Sequence, residues 1–388
     1  MKKKILFIIS NMQSGGVSKS MSSLLNVIDT QSYEIDCLII VPQGVFMDTI
    51  PKNINIISDE KTALFFSSFP DNLIKLVTKG WIYLALLRFL AAFLMKMNKG
   101  WGGWLLSKGI DKLPKNYDLA VDYNGQQQLY FLIDSVKAKK KVTFFHSDYT
   151  KWPYYYSMDK KYMPKADTIF TISEKCIDSL KDFFPDLASK IRLFENISSV
   201  KTIQIMANEV TSDPLDGDFF KIITIGHLCE MKGTDLALKA AKILKVKGLS
   251  FKWYFIGQNQ NTHLYQKMVK DNQIENEIVF MGLKSNPYSY IKQADIVVHP
   301  SLFEGKSIAL DEAKILCKPI VVTNFSTVSD QFINKENATI CEMNPEDIAE
   351  KIIELQQNEK LRKQYIEYLT THCNSNESEI EKLYQLIQ

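Results

Sequence analysis

The sequence predicts an α/β protein with two doubly wound domains that face each other across a cleft. Short apolar runs alternate with helical segments along the 388-residue chain, and each run is continuously apolar. Such runs are typical of parallel strands that are covered by helices on both faces. A polar stretch at 207–218 interrupts the alternation, which then restarts. Because the chain is too long for one core, we expect two domains joined near residue 200.

Thirteen runs are candidate strands. The first domain contains KILFIIS, EIDCLIIV, NINIIS, YDLAVDYN, KVTFFH, DTIFTIS and IRLFEN. The second contains FKIITIG, FKWYFIG, EIVFMG, ADIVVHP, KPIVVT and ATICE. We therefore assign residues 1–200 to the first domain and residues 201–373 to the second.

Composition indicates an ordinary globular protein in a reducing compartment. Apolar residues make up 46% of the chain, and a net charge of +3 is too small to indicate nucleic-acid binding. The six cysteines are scattered without a C-x-x-C pair, which favours buried free thiols. The N-terminal MKKKILFIIS has too short an apolar run for a signal peptide, so we expect a first strand there and a cytoplasmic location.

One segment, 72–115, departs from this pattern. It contains WIYLALLRFLAAFLMKMNKGWGGWLL, in which Arg88 splits an apolar run, and eight basic residues against one acid, Asp111. The uninterrupted parts are shorter than the roughly 18 residues that a spanning helix needs. A basic helix rich in aromatic residues fits contact with a membrane surface. A pair of core helices capping the first sheet is the alternative, and the two interpretations are compatible.

Two glycine-containing turns follow strands. Gly15 and Gly16, in SNMQSGGVSKS, permit a tight turn whose amides could face an anion at a helix N-terminus. That turn is neither G-x-G-x-x-G nor a P-loop, so neither a dinucleotide nor ATP is predicted. In the second turn, GHLCEMKG, Gly226 ends a strand and Lys232 precedes a helix. A lysine at a strand's carboxyl end suits a diphosphate, although a solvated lysine is the simpler alternative.

The stretch SLFEGKSIALDEA contains two acids. Glu304 and Gly305 lie in a predicted strand-to-helix turn, and Glu312 follows eight residues later on the helix. A turn at the carboxyl end of a parallel strand is the usual place for a ligand in an open α/β sheet. The alternative is a pair of acids on a solvated helix face.

Together, GHLCEMKG, PSLFEGKSIALDEAKILCKPIVVTN and SGGVSKS resemble the retaining GT-B glycosyltransferases of family 4, also called glycosyl transferases group 1. The acid pair matches that family's E-x7-E signature, and FFHSDY, TISEKCIDSL and LFENI occur in the family's order. The resemblance implies two Rossmann-like domains: an acceptor-binding domain at 1–200 and a donor-binding domain at 201–373. We expect the final helix, 376–388, to pack back on the first domain.

The resemblance also implies residue roles. Lys232 would hold the donor diphosphate and Glu312 the ribose hydroxyls. Glu304 would contact the donor sugar and favour positive charge at its anomeric carbon, with His146 near the reacting sugar. The implied catalytic residues are Glu304, His146 and Lys232, and the implied donor-binding residues are Gly15, Gly16, Gly226, His227, Lys232, Met281, Gly282, Gly305, Ser307, Ile308 and Glu312. In this set the amides of Ser307 and Ile308 would receive phosphate or sugar oxygens, and Met281 with Gly282 would meet the base.

His227 departs from the family pattern, which commonly has arginine at this position. A neutral imidazole donates fewer hydrogen bonds and carries less charge than a guanidinium. Either His227 is protonated beside the phosphates, or Lys232 and the amides suffice, or the protein is slow. No D-x-D motif stands out, and we expect the acids of DLAVDYNG to be strand-end structure. We therefore predict no essential metal and no cofactor.

These observations predict a retaining transferase that moves a sugar from a nucleotide-diphosphate donor to a glycan acceptor. The acceptor is expected to be lipid-linked, in bacterial capsule, exopolysaccharide or lipopolysaccharide synthesis, with the enzyme peripheral on the inner face of the plasma membrane. Two alternatives stay open: a transferase with a soluble or protein acceptor, and a catalytically silent GT-B partner protein. No nucleic-acid partner is expected.

Overall fold

A computed structural model describes residues 2–13, 15–211, 213–259, 261–284, 286–372 and 375–387. The chain forms two compact units. One comprises Met1–Ile197 with Glu377–Gln388, and the other comprises Ser198–Asn376.

The first unit is built on a seven-stranded parallel sheet with strand order β3-β2-β1-β4-β5-β6-β7. Its strands are β1 (Lys3–Ile9), β2 (Tyr33–Ile39), β3 (Asn55–Ile57), β4 (Asn116–Asp122), β5 (Lys137–Phe145), β6 (Thr168–Thr171) and β7 (Ile191–Leu193). Its helices before residue 197 are α1 (Gly16–Val27), α2 (Glu60–Phe66), α3 (Asp71–Thr78), α4 (Ile82–Met97), α5 (Lys99–Ser107), α6 (Gln127–Ser135), α7 (Tyr156–Tyr162) and α8 (Glu174–Phe183).

The second unit is built on a six-stranded parallel sheet with strand order β10-β9-β8-β11-β12-β13. Its strands are β8 (Phe220–Ile225), β9 (Phe251–Ile256), β10 (Ile278–Gly282), β11 (Ile296–His299), β12 (Ile320–Thr323) and β13 (Thr339–Cys341). Its helices are α9 (Val200–Ala207), α10 (Thr234–Val246), α11 (Thr262–Asp271), α12 (Tyr288–Gln293), α13 (Ile308–Ile315), α14 (Pro345–Gln357) and α15 (Glu359–His372).

Most of the continuous apolar runs are buried on both faces of their sheet, as predicted, whereas the edge strand β3 is largely exposed. In β1, Phe7 packs in one hydrophobic cluster and Leu6 in another, because successive side chains of a strand point to opposite faces. In β8, Ile222 and Ile223 are divided between two clusters in the same way. Each of the thirteen predicted runs overlaps one observed strand. The prediction of two doubly wound α/β domains is therefore confirmed.

Strand order reverses at one point in each sheet, between β1 and β4 and between β8 and β11. Loops that leave neighbouring strands at such a point run in opposite directions and leave a crevice at the carboxyl ends, where ligands of open α/β sheets bind. In the second unit, the two turns predicted to carry chemistry leave these two strands.

The last segment of the chain returns to the first unit. Here α16 (Glu381–Tyr384) places the Tyr384 ring 4.7 Å from that of Tyr33, and the Tyr384 hydroxyl accepts a hydrogen bond from the Asp29 amide at 2.7 Å. Leu383 and Ile387 join the hydrophobic core around β1. The segment thereby supplies part of that core.

Within segment 72–115, α4 has an inner face that packs on the unit and a broad outer face that does not. Only Leu84, Ala85 and Ala91 of this helix are buried, whereas Leu86 is 61% exposed and Met97 is 73% exposed. The core-helix interpretation is therefore confirmed for the inner face alone. Among the described residues, no helix combines the length and apolarity needed to cross a bilayer.

Two smaller predictions concern thiols and strand-end acids. The five cysteines within the described ranges are free, three of them buried, and Cys373 lies outside those ranges.

Asp122 accepts hydrogen bonds from the Gly125 amide and the Thr143 hydroxyl, and Asp118 accepts one from the Lys4 amide. These acids therefore have the structural role at strand ends that the sequence predicted.

Candidate functional site

The carboxyl ends of β8 and β11 bring two predicted motifs together. The strands are parallel neighbours, and each continues into a turn that leads to a helix. The turns touch through their backbones, because the Leu302 amide donates to the Met231 carbonyl at 2.9 Å. The motif around Lys232 and the motif around Glu304 are thereby held side by side.

Gly233 permits this close approach. Its φ is +66°, in the left-handed region, and a Cβ at this position would lie 1.8 Å from the Pro300 carbonyl oxygen. Any larger residue would force the two turns apart. The close contact with Pro300 therefore explains why a glycine follows Lys232, and the sequence alone does not reveal this contact.

An ion pair between a partly exposed lysine and a buried carboxylate lies at the centre of this junction. Lys232 Nζ is 2.6 Å from Glu304 Oε1, and His299 Nε2 lies 2.8 Å from the same oxygen. Burial alone would raise the pKa of Glu304, but the charge of Lys232 and the hydrogen bond with His299 outweigh it and lower the pKa to about 2. Glu304 is therefore a fixed negative charge at neutral pH.

Exposure distinguishes the two partners of Glu304. The Lys232 side chain is 32% exposed, whereas the side chains of Glu304 and His299 are 9% and 6% exposed. The lysine reaches the surface, where it can meet an anionic ligand. His299 lies behind the acid and does not.

Glu312 occupies a separate buried position on α13. It is 1% exposed, and its Oε1 accepts a hydrogen bond from the Tyr288 hydroxyl at 2.8 Å. Burial and the nearby Glu312 charge raise the pKa of Tyr288 well above its ordinary value, so the phenol stays protonated and donates. The alternative of two acids on a solvated helix face is wrong, because both carboxylates are buried and bonded.

The amide of Ser307 differs from its predicted role. This amide donates to Gln331 Oε1 at 3.0 Å, and Gln331 Nε2 donates back to the Ser307 carbonyl at 3.1 Å. The amide is already satisfied by a side chain from a later turn, so a ligand would have to displace Gln331. The other predicted amide, at Ile308, begins α13.

The remaining donor-binding candidates of the second unit lie at strand ends or in the same turns. Gly226 and His227 directly follow β8, and Gly305 is buried beside Glu304. Met281 and Gly282 end β10. The structure therefore places all of them at the carboxyl-terminal edge of one sheet.

Two predicted sites belong to the first unit. Gly15 and Gly16 lie where α1 begins. His146 follows β5, and its ring lies 4.7 Å from that of Tyr123. Burial lowers the pKa of His146 to about 4, even though hydrogen bonds with the Tyr123 backbone and the Asn196 side chain favour its charged form. His146 is therefore neutral at pH 7, and its role in the reaction stays a prediction.

Sequence reasoning missed His299, Tyr288 and Gln331. His299 reads as the end of an apolar strand, and Tyr288 and Gln331 lie 24 and 19 residues from Glu312 without a motif to connect them. The spacing His-x4-Glu could have marked the first of these. Within the described residues, no group of three or more His, Cys, Asp or Glu side chains could hold a metal ion.

The second unit matches a known protein family. Residues 207–372 match the family model of glycosyl transferases group 1, which confirms the resemblance predicted from the motifs. The membership of family 4 and the retaining mechanism stay predictions. The match covers the unit that contains Lys232, Glu304 and Glu312.

Two curated relatives have related names. The chain is 27% identical over 146 residues to poly(ribitol-phosphate) alpha-N-acetylglucosaminyltransferase of Staphylococcus aureus, covering 36% of this chain and 30% of that protein. It is 26% identical over 204 residues to N-acetylgalactosamine-N,N'-diacetylbacillosaminyl-diphospho-undecaprenol 4-alpha-N-acetylgalactosaminyltransferase of Campylobacter jejuni, covering 52% of this chain and 54% of that protein. The aligned part thus spans about half or less of either relative.

A solved structure supports the fold over the whole chain. Anabaena HepE, in complex with UDP and glucose, has a TM-score of 0.70 and 13% identity, covering 99% of this chain and 98% of that one. With two Rossmann-like parallel sheets, the chain has the GT-B fold, as predicted.

The Lys232–Glu304 contact should make stability depend on pH. Glu304 is ionised in the folded state down to about pH 2, whereas its ordinary pKa is 4.5. A lowered folded-state pKa gives stability that is present above pH 4.5 and is lost as pH falls towards 2. Replacing Lys232 by Met removes a charge that lowers this pKa. We therefore expect Lys232→Met to lose less stability than the wild type between about pH 6 and about pH 3, by about 1–2 kcal/mol.

Urea unfolding at the two pH values measures this difference. Lys239→Met is a matched control, because Lys239 is 54% exposed and lies 3.7 Å from Asp235 in a surface pair. The control should follow the wild type. An unchanged pH dependence in Lys232→Met would contradict the assigned ion pair.

Proposed function

We propose that this chain transfers a sugar from a nucleotide-diphosphate donor to a glycan acceptor, with retention of the anomeric configuration. The observation that carries the proposal is the Lys232–Glu304 pair, 2.6 Å apart at the ends of two neighbouring strands. Glycosyl transfer passes through an oxocarbenium-like state while a diphosphate departs. Its catalyst must neutralise the leaving group and stabilise positive charge on the sugar, and this pair supplies one charge for each task.

Lys232 is assigned to the diphosphate. A lysine ammonium has three N–H donors, and Glu304 uses one of them at the buried side. The two remaining N–H donors belong to a partly exposed ammonium and can reach phosphate oxygens. Lys232 can therefore connect the leaving group to the acid that faces the sugar, without a guanidinium at His227.

Glu304 is assigned to the donor sugar. Its carboxylate stays ionised in a largely buried position, where a charge acts more strongly than in water. In the described part of the chain, Lys232 and His299 both contact Glu304 through Oε1 and neither contacts Oε2. Oε2 is thus available to a sugar hydroxyl and to positive charge that develops at the anomeric carbon.

Glu312 is assigned to the ribose hydroxyls. Its contact with Tyr288 fixes Oε1 and holds the carboxylate on the first turns of α13. A carboxylate accepts hydrogen bonds from two adjacent hydroxyls well, because it offers two oxygens. The UDP complex of Anabaena HepE supports a nucleotide sugar as the donor class.

We propose retention by front-face departure and attack. No side chain is assigned as a nucleophile in this mechanism. The departing diphosphate oxygen accepts the proton of the attacking acceptor hydroxyl, and Lys232 neutralises the charge that would otherwise build up on that oxygen.

We propose a lipid-linked glycan acceptor in surface-polysaccharide synthesis, at the inner face of the plasma membrane. The name of the Campylobacter relative contains a diphospho-undecaprenol, which supports a lipid carrier. The first unit has an outer face suited to a membrane surface, which we call the α3–α4 face. Its exposed apolar side chains are Ile74, Val77, Ile82, Tyr83, Leu86, Phe89, Leu90, Phe93 and Met97.

The charge near the α3–α4 face is positive. Its excess is smaller than the count of eight basic residues in segment 72–115 suggested, because some of the lysines pair with acids elsewhere in the chain. Lys79, Lys108 and Lys115 pair with acids outside segment 72–115. Lys75, Lys96 and Lys112 have no acidic partner within the described part of the chain, and Lys99 lies over the Tyr154 ring at 4.0 Å. Apolar side chains flanked by lysines and interfacial aromatic rings favour contact with anionic lipid.

Replacing each acid by its amide should separate their roles. Glu304 stabilises charge that is greatest in the transition state, so we expect Glu304→Gln to lower kcat by about 100-fold or more with little change in donor KM. Glu312 contacts a part of the donor that does not react, so Glu312→Gln should mainly raise donor KM. A thermal-shift screen of nucleotide sugars identifies a donor, and steady-state kinetics with that donor measures kcat and KM of each variant. Glu350→Gln is the control, because the Glu350 side chain is 69% exposed.

Two results would count against these assignments. Equal kcat losses with unchanged KM in both variants would remove the division of roles between the acids. A product with inverted anomeric configuration would remove the retaining mechanism.

Removing apolar groups from the α3–α4 face should weaken membrane binding. We expect the wild type to float with vesicles that contain phosphatidylglycerol and to bind less to neutral phosphatidylcholine vesicles. The triple variant Leu86→Ser, Phe89→Ser, Phe93→Ser should bind at least about tenfold less, because each inserted side chain contributes about 1.5–3 kcal/mol. Val246→Ser, at a 79% exposed residue of the second unit, should bind like the wild type. Wild-type protein that fails to bind anionic vesicles would exclude the membrane contact but not sugar transfer.

A further inference from the structure

His299 lies behind Glu304 in a fixed position. It is the last residue of β11, which pairs with β12, and it is 5% exposed. The Thr323 hydroxyl donates to its carbonyl at 3.2 Å, and its ring lies edge-on to Phe325 with centroids 6.2 Å apart. Backbone pairing and ring packing therefore leave the imidazole little freedom.

Glu304 Oε1 has two partners, one partly exposed and one enclosed. Glu304 Oε1 lies 2.8 Å from His299 Nε2 and 2.6 Å from Lys232 Nζ. Lys232 is flexible and partly exposed, and its charge is the one that a diphosphate attracts. His299 is enclosed and cannot follow a ligand. When Lys232 shares its donors between Glu304 and donor phosphates, its hold on Oε1 weakens, whereas the His299 contact is unchanged.

We propose that His299 is a positioning residue for Glu304. This inference rests on the proposed sugar transfer. The imidazole donates its Nε2–H to Oε1 and so keeps Oε2 directed towards the donor sugar when Lys232 engages the diphosphate. The role requires a proton on Nε2, because a bare nitrogen cannot donate to a carboxylate. Neither the E-x7-E signature nor the lysine turn includes this residue.

Loss of the contact should affect turnover more than binding. A carboxylate that is free to rotate still carries its charge, so donor affinity changes little. Its alignment with the anomeric carbon is lost, and a misplacement of about 1 Å at a reacting centre can cost roughly 100-fold in rate. A role limited to folding would instead lower stability without dividing kcat from KM.

Two variants of matched size test this role. His299→Gln keeps a donor near the position of Nε2, whereas His299→Phe keeps the ring and removes the donor. We expect His299→Phe to lower kcat by about tenfold to 100-fold with donor KM within about threefold of the wild type, and His299→Gln to recover most of the loss. Equal losses in the two variants, or a wild-type kcat in His299→Phe, would overturn the proposal.

A spectroscopic measurement keeps this test independent of activity. The chain has five histidines, so ring ¹⁵N resonances can be assigned from single substitutions. We expect the His299 Nε2 to carry a proton in the wild type, and its resonance to move in Glu304→Leu. An unprotonated Nε2, or a resonance that Glu304→Leu leaves in place, overturns the proposal. Failure of every nucleotide sugar as a donor would instead reject the proposed function and leave these NMR results unaffected.

Discussion

A charged carboxylate that is buried at the end of a strand must be compensated, and this requirement organises the second unit. Glu304 is 8% exposed, yet it stays ionised because Lys232 and His299 contact it. Leaving such a charge without a partner would cost several kcal/mol. The turn after β8 must therefore lie against the turn after β11, and Gly233 is the residue that lets them meet. Steric fit and charge compensation thus depend on the same pair of turns.

This arrangement has a chemical consequence. The strand order of the second sheet reverses between β8 and β11, so the two turns border the crevice in which α/β sheets bind ligands. A cation that is partly exposed beside an acid that is enclosed gives the site two opposite charges at short range. Charges that are held in place before a reaction are the main source of electrostatic catalysis, and the enclosed, ionised Glu304 is such a charge. The first unit has a different character, because its α3–α4 face combines exposed apolar side chains with lysines.

The sequence predicted features with a regular period or a local motif. Each of the thirteen strands in the described ranges was predicted because its sequence is a short apolar run, and Lys232, Glu304 and Glu312 were singled out because they lie in short strand-end motifs that resemble those of the family. His299, Tyr288 and Gln331 were missed because their contacts join residues that only the folded chain brings together. The Ser307 amide was assigned to a ligand for the same reason: its partner, Gln331, lies 24 residues away. The outer face of α4 could not be separated from a core helix, because apolar residues occur all round that helix and periodicity alone did not distinguish its two faces.

Isothermal titration with a panel of nucleotide sugars is the most direct measurement of the central claim, that the Lys232–Glu304 pair receives a sugar diphosphate. The wild type should bind at least one member, and Lys232→Ala should bind it at least about tenfold more weakly, because a charge-assisted contact contributes about 1.5–3 kcal/mol. Lys239→Ala, a surface lysine of the same unit, should bind it like the wild type. A donor that binds Lys232→Ala and the wild type with equal affinity would contradict the account.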